Sequence, residues 1–339
     1  MRIFHGPQNI GGMAGLLAKE QRSLGAEAKA ICFPTGNYTF DVDEIIPTHS
    51  TFGRNAFLLK LLGQAIINFD VFQFYFGESL TGPKLWDVAL LKKLGKKVFF
   101  YFCGCDLRDA TVTIKKYKFS ACKDCWPVAC SANRNKAIAI AQKYADGVFV
   151  STPDLLEFFP ESILLPQPAN LDSLKSATCD KSSGKSLEEE CLILHAPTNR
   201  AIKGSVYIEH AIKRLKSEGY KFKFKLIEKI SHNEALKEYA KADIIIDQLL
   251  IGSYGQFSVE MMALGKAVIC YIREDLRSYY PEDLPIISAN PGTIYEVLKN
   301  TMESFKSLKS IGREGILYTS AYHDSSIIAK KMIDAYRAV

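Results

Sequence analysis

Short apolar runs alternate with longer amphipathic stretches along the whole chain. Arg2–His5, Ala26–Phe33, Val71–Phe76, Lys97–Phe102 and Gly147–Ser151 have strand length and are rich in β-branched, aromatic and aliphatic residues. Between them, Met13–Leu24, Phe57–Phe69, Lys84–Leu94 and Asn133–Ala145 read as helices, with Gly25 and Gly95 just past two of their ends. Runs that are apolar throughout predict strands covered on both faces, hence a parallel sheet flanked by helices. Thr152-Pro153 opens a further helix as N-cap and first residue. Ile163–Leu165 then leads to Pro166-Gln167-Pro168, which reads as a hinge, and the Ser-, Lys- and Glu-rich stretch Ser173–Glu190 as a mobile loop. The pattern then restarts. Strands are expected at Cys191–His195, Phe222–Ile227, Asp243–Gln248, Ala267–Ile272 and Pro285–Ser288. Helices are expected at Gly204–Glu218, His232–Ala242, Phe257–Leu264, Pro291–Phe305 and His323–Tyr336. A length of 339 residues is comfortable for two domains. The expected division is 1–166, completed by a C-terminal helix within 320–339, and 167–319.

The second half is organised around Asp243–Ile272, a strand-turn-helix-strand unit. Its turn, Gly252-Ser253-Tyr254-Gly255, lets another molecule approach the backbone, and Gly265 closes the helix. The open N–H groups and positive dipole end of such a helix suit a phosphate. Glu260, one turn inside, can accept hydrogen bonds from a sugar diol. Diphosphate plus ribose describes a nucleotide sugar. The plainer reading is that every parallel sheet has helix N-termini after its strands. In the first half, Gly11 and Gly12 follow the first strand and either admit a phosphate or make a tight turn. The loop is not G-x-G-x-x-G, which argues against a dinucleotide. Gly77-Glu78-Ser79 ends a strand at the carboxyl edge, where open α/β sheets bind ligands. Asp41-Val42-Asp43 is read as surface strand and loop rather than a cation site.

Tyr254-Gly255 followed by Glu260-Met261-Met262-Ala263-Leu264-Gly265-Lys266-Ala267-Val268-Ile269 resembles the "GFG…EAMA-G-PVI" signature of retaining GT-B glycosyltransferases of the GT4 type. His195–Gly204 resembles that family's "R…KG" element. Phe102-Cys103-Gly104-Cys105-Asp106-Leu107-Arg108 resembles its "HGSDxR" loop. The resemblance implies two Rossmann-like parallel-sheet domains facing across a cleft, with the C-terminal helix crossing back to the first. It implies that Arg200 and Lys203 hold the donor diphosphate and Glu260 the ribose, with Gly11, Gly12, Gly255, Ser258 and Val259 also at the donor. It places Asp106 with Arg200 and Lys203 in the catalytic set. Two positions depart from the pattern: the first Glu of the family's E-x7-E pair falls at Gly252, and its loop histidine at Cys103.

Composition adds three things. The chain is 47% hydrophobic and 24% charged, as in soluble globular proteins. It enters its first strand directly, and no apolar run is long enough for a bilayer, so a cytoplasmic protein is expected. The net charge of +6 is concentrated: Lys84–Lys143 holds 13 Lys and Arg against 4 Asp and Glu. Such a region reads either as a surface for anionic lipid headgroups or as a solvated face near a phosphate site. Nothing resembles a nucleic-acid-binding motif. Finally, five of nine cysteines lie between Cys103 and Cys130. From Cys105 the spacing is C-x16-C-x2-C-x4-C, so Cys105, Cys122, Cys125 and Cys130 are expected to hold a structural zinc, with Cys103 able to replace Cys105. Buried thiols, or a redox pair at Cys122 and Cys125, are the other readings.

The expected activity is a glycosyltransferase that moves a sugar from a nucleotide diphosphate sugar to a saccharide or lipid-linked acceptor. Retention of anomeric configuration follows from the resemblance, and no catalytic divalent metal is needed if cationic side chains neutralise the leaving group. The rival readings are a nucleotide-sugar or glycan-binding protein without transfer, an epimerase or phosphorylase on the same fold, and a zinc-stapled nucleic-acid-binding protein.

Overall fold

The computed structural model describes residues 1–34, 40–47, 51–125, 133–178, 190–230 and 232–339. The chain forms two compact units. The first contains Met1–Asp109, Val128–Pro168 and Ser325–Val339, and the second Ala110–Pro127 and Ala169–Asp324.

The first unit carries β1 (Arg2–Gly6), β2 (Glu27–Cys32), β3 (Glu44–Ile45), β4 (Val71–Tyr75), β5 (Lys97–Phe102), β6 (Gly147–Val150) and β7 (Ile163–Leu164). They make one parallel sheet in the order β3-β2-β1-β4-β5-β6-β7. The second unit has β8 (Leu192–His195), β9 (Lys223–Leu226), β10 (Ile244–Ile246), β11 (Ala267–Cys270) and β12 (Ile286–Ser288). Their order is β12-β11-β10-β8-β9, again all parallel. In chain order the helices are α1 (Met13–Ser23), α2 (Thr51–Asn68), α3 (Trp86–Lys93), α4 (Ala110–Lys116), α5 (Arg134–Tyr144), α6 (Leu171–Thr178), α7 (Arg200–Lys203), α8 (Ser205–Ser217), α9 (His232–Tyr239), α10 (Gln256–Ala263), α11 (Ile294–Glu303), α12 (Leu308–Tyr322) and α13 (Ser325–Arg337).

The continuous apolar runs fill both faces of each sheet. In the first unit Phe4, Phe72, Phe74, Phe100 and Phe102 pack on one face, and Ile3, Val71, Tyr75, Phe99 and Tyr101 on the other. The C-terminal α13 lies in this unit against α1 and buries Ile328, Met332 and Tyr336. Tyr336 donates its hydroxyl to Gln73 Oε1 at 2.9 Å. In the second unit Leu194, Ile245 and Val268 face one layer, and Ile193, Ile244, Ile246 and Ile269 the other.

Three segments differ from the sequence reading. Ser173–Glu190 is not a loop from its start, because Leu171 and Leu174 share one buried face and carry α6 through Thr178; residues 179–189 lie outside the described residues. The stretch after Asp109, to which no element was assigned, forms α4 and a 3-10 turn at Ala121–Lys123, with Ser120 Oγ accepting from the Cys122 amide. The 15-residue α12 was not anticipated, because glycines interrupt its apolar stripe between Leu308 and Tyr318. Its buried face includes Gly312 and Gly315, and a Cβ at Gly312 would stand 2.1 Å from the Gly265 carbonyl oxygen. Backbone approaches backbone there, so the signal is missing side chains.

Among the described residues no helix is long and apolar enough to cross a membrane.

Candidate functional site

In an open parallel sheet, ligands bind beyond the carboxyl ends of the strands where the strand order reverses. In the second sheet β8 has β10 on one side and β9 on the other, so the reversal lies at β8. The segment after β8 supplies Arg200 and Lys203, and the end of β10 supplies Asp247 and Gln248.

The segment after β8 is shaped by hydrogen bonds. His195 Nδ1 donates to the Ile246 carbonyl at 2.8 Å, leaving Nε2 to accept from Ser205 Oγ at 2.8 Å. Burial pushes its pKa down to about 4, so His195 is a neutral strut rather than an acid-base group. Asn199 Oδ1 accepts from the amides of Ala201 and Ile202 and starts α7. Gly204, at φ +76°, ends it.

Lys203 then reaches across. Its Nζ lies 2.5 Å from Asp247 Oδ1 and 3.1 Å from Gln248 Oε1. Asp247 is buried and its Oδ2 accepts from Ser258 Oγ at 2.6 Å. One carboxylate therefore holds both the lysine and the first turn of α10. The lysine and aspartate cancel in net charge, so Lys203 offers an oriented donor more than a bare cation. Two of its three N–H groups are used, which leaves one. Arg200 turns elsewhere, to Glu209 and to Glu228 at 3.2 Å. These contacts use two of its five N–H groups and leave the guanidinium partly exposed, so a phosphate could still meet the others.

The turn before α10 is fixed at both ends. Tyr254 OH lies 3.0 Å from Tyr318 OH and 2.9 Å from His323 Nε2. Gly252, at φ +84°, accepts from the Arg273 amide at 2.9 Å, and a Cβ there would meet Arg273 Cγ at 2.4 Å. The position that departs from the family's carboxylate is thus covered by the stem of an arginine. Gln248 donates its amide to the Ser253 carbonyl, while the buried Ser253 hydroxyl has no partner among the described residues. Gly255 caps α10 without a side chain. The amides of Gln256, Phe257 and Ser258 precede the first intrahelical bond, whereas that of Val259 donates to the Gly255 carbonyl at 3.2 Å. Glu260 is half-buried, and its carboxylate accepts from Gln256 Nε2 at 3.3 Å. Burial raises its carboxyl to about 7. The helix ends in a Schellman motif, with Lys266 N bonding Met261 O and Gly265 N bonding Met262 O.

The remaining expected site residues lie in the first unit. Gly11 is exposed at φ +57°, open to an approaching group. Gly12 is buried, and a Cβ there would lie 2.8 Å from the Phe40 ring, so its own chain takes the space. Gln8 Nε2 donates to Glu78 Oε2 at 2.7 Å and joins the loops after β1 and β4, where this sheet's order reverses. Asp106 folds back on its own loop, accepting from the Gly104 amide at 2.7 Å and the Cys103 amide at 3.1 Å. Burial raises its carboxyl to about 6 against the pull of those amides. Arg108 does not pair with it. It makes a buried two-pronged contact to Asp154 Oδ2 at 2.6 and 2.8 Å.

Of the expected zinc ligands, Cys105 is in the first unit, Cys122 and Cys125 are in the second, and Cys130 lies outside the described residues. Among the described residues no group of three or more His, Cys, Asp or Glu is placed to hold a metal.

No protein-family model and no curated protein sequence matches the chain. Solved structures do. Anabaena Alr3699/HepE in complex with UDP matches over 100% of both chains, at 12% identity and TM-score 0.66. The catalytic domain of starch synthase IV from Arabidopsis thaliana, bound to ADP and acarbose, matches over 100% of this chain and 99% of its own, at 13% and 0.65. The UDP-GlcNAc 2-epimerase of Neisseria meningitidis, bound to UDP-GlcNAc, matches over 100% and 99%, at 13% and 0.57. The fold is GT-B. Within this GT-B chain, Asp247, Gln248 and Arg273 are residues the sequence reading did not select. A carboxylate closing the apolar run Ile244-Ile245-Ile246 was the available signal for Asp247.

Proposed function

We propose that this chain is a glycosyltransferase that takes a sugar from a nucleotide diphosphate donor, bound in the second unit, and passes it to a saccharide or lipid-linked acceptor. The observation that carries the reading is the Lys203 ammonium, held by Asp247 and Gln248 with one N–H left to offer beside the open first turn of α10. The GT-B likeness to structures holding UDP and ADP supports it. Lys203 and the α10 amides would take the diphosphate, and their donors would stabilise charge growing on the leaving group. Arg200 would join through the N–H groups that Glu209 and Glu228 do not use. Ionised Glu260 would accept from the ribose hydroxyls. Asp106 would act by holding its loop rather than by touching the donor. Retaining stereochemistry of the GT4 type belongs to the same proposal, and product anomers read by NMR test it.

The test of activity is transfer from a panel of nucleotide sugars to saccharide and lipid-linked acceptors. Turnover of the donor that isomerises its sugar without any acceptor would favour the epimerase reading instead.

Two further proposals come from the sequence. A structural zinc on Cys105, Cys122, Cys125 and Cys130 rests on spacing alone. A cytoplasmic protein touching anionic membrane rests on the basic stretch Lys84–Lys143. Several of those cations are spent internally: Lys92 pairs with Asp146 at 2.6 Å, Arg134 with Asp109 at 2.6 Å, and Lys97 bonds the Tyr336 carbonyl. Flotation with anionic liposomes at low and high salt tests the contact, and absence of binding at low salt removes it.

A further inference from the structure

The residues Ala110–Pro127 follow a strand of the first sheet but belong to the second unit. Within that unit they meet several loops at the carboxyl edge of the second sheet. The 3-10 turn Ala121–Lys123 lies against α7, which carries Arg200 and Lys203. Phe119 packs edge-on against Tyr271, just past β11, with centroids 6.1 Å apart, and it also approaches Gly292, beyond β12. Tyr117 lies flat under the Arg273 guanidinium, whose central carbon is 3.6 Å from the ring centroid.

Arg273 is the pivotal neighbour. It is buried, and its Nε and a terminal nitrogen bond Asp275 at 2.9 and 2.8 Å. The guanidinium is thus stacked on one face and bonded along one edge, which fixes its stem. That stem fills the space beside Gly252, where only a glycine fits. From Gly252 the contacts continue through the Ser253 carbonyl to Gln248, and from Gln248 to Lys203. Tyr117 and Lys203 are therefore joined through four bonded or packed steps inside one unit.

We infer that Ala110–Cys125 is a working wall of the nucleotide site, in which Tyr117 positions Arg273 and, through it, the Gly252–Gly255 turn and the Lys203 ammonium. Tyr117 acts through Arg273 and not on a reacting group. It is a positioning residue. The inference deepens the proposed donor site and rests on that reading for what the site binds. The positioning itself is a property of the protein without ligand.

The test uses the full chain with Tyr117→Ala and Tyr117→Phe. Phe keeps the ring under the guanidinium and Ala removes it. In ligand-free protein, amide exchange of the peptide covering Gln248–Gln256 should quicken in Tyr117→Ala and return to the wild-type rate in Tyr117→Phe. In titrations with UDP, GDP and ADP, Tyr117→Ala should weaken the preferred nucleotide roughly tenfold, and Tyr117→Phe should bind within about twofold of wild type. A Tyr117→Ala variant that melts lower but leaves both the exchange of that peptide and nucleotide affinity unchanged overturns the inference, because a purely structural role predicts that pattern. Failure of the wild type to bind any nucleotide contradicts the donor-site reading alone. The exchange comparison then decides the wall by itself: quickened exchange restored by Phe supports it, and unchanged exchange removes it.

Discussion

Lys203 Nζ and Asp247 Oδ1 are 2.5 Å apart, and this pair ties the segment after β8 to the end of β10. Only 14% of the lysine side chain and 1% of the aspartate side chain are exposed. Removing either partner strands the other in a poorly hydrated place. Asp247→Ala and Lys203→Ala should each destabilise the protein by about 3 kcal/mol. The double variant should cost less than their sum, with a coupling of about 1–3 kcal/mol in urea unfolding. Strict additivity would mean that the pair does not hold the site together.

Gly312→Ala should destabilise despite the better helix propensity of alanine, which is worth about 1 kcal/mol. The new Cβ would stand 2.1 Å from the Gly265 carbonyl oxygen, and backbone cannot swing aside as a side chain can. A net loss of about 2 kcal/mol or more is expected from thermal or urea unfolding. A stabilised variant would show that α12 and α10 are not in such close contact.

Glu260 gives a pH signature. Its folded carboxyl titrates near 7, above an ordinary glutamate, because burial disfavours the charge. The unfolded chain therefore loses this proton first, and Glu260 lowers stability as pH rises from about 4.5 to about 7, with no further change above. His195 and His5, both depressed to about 4 by burial, act at the acid side: their contribution is lost as pH falls from about 6.5 to about 4. The two windows overlap and the histidines oppose Glu260, so its share is read as a difference: the stability of the wild type relative to Glu260→Gln should fall as pH rises from about 4.5 to about 7. In the proposed site ribose hydroxyls would donate to the ionised form, so nucleotide affinity should rise as pH passes 7 in the wild type and not in Glu260→Gln.

Much of the fold was legible because buried parallel strands leave continuous apolar runs. Lys97–Phe102 is a strand within its expected limits, and the turn at Gly252–Gly255 and the cap at Gly265 carry their own glycine signals. What stayed hidden depends on partners distant in sequence. Nothing local marks Arg273 as the occupant of the space beside Gly252, or Tyr117 as the ring beneath it. The role of α12 was concealed by the glycines that let it pack. The burial of Asp247 and the diversion of Arg200 to Glu209 and Glu228 are likewise tertiary facts.

The zinc proposal makes a compositional prediction. Elemental analysis of purified protein should find about one zinc per chain, and Cys122→Ser should lower both occupancy and melting temperature. A metal-free protein of equal stability would eliminate the site.

The proposed function requires the second unit to bind a nucleoside diphosphate through phosphate and ribose together. Calorimetric titration of UDP, GDP, ADP and inorganic pyrophosphate into wild type and Glu260→Gln, above pH 7, measures this directly. The expected result is that one nucleoside diphosphate binds the wild type, that Glu260→Gln weakens it about tenfold, and that pyrophosphate binds both proteins alike. No nucleotide binding, or a nucleotide affinity indifferent to Glu260→Gln, would contradict it.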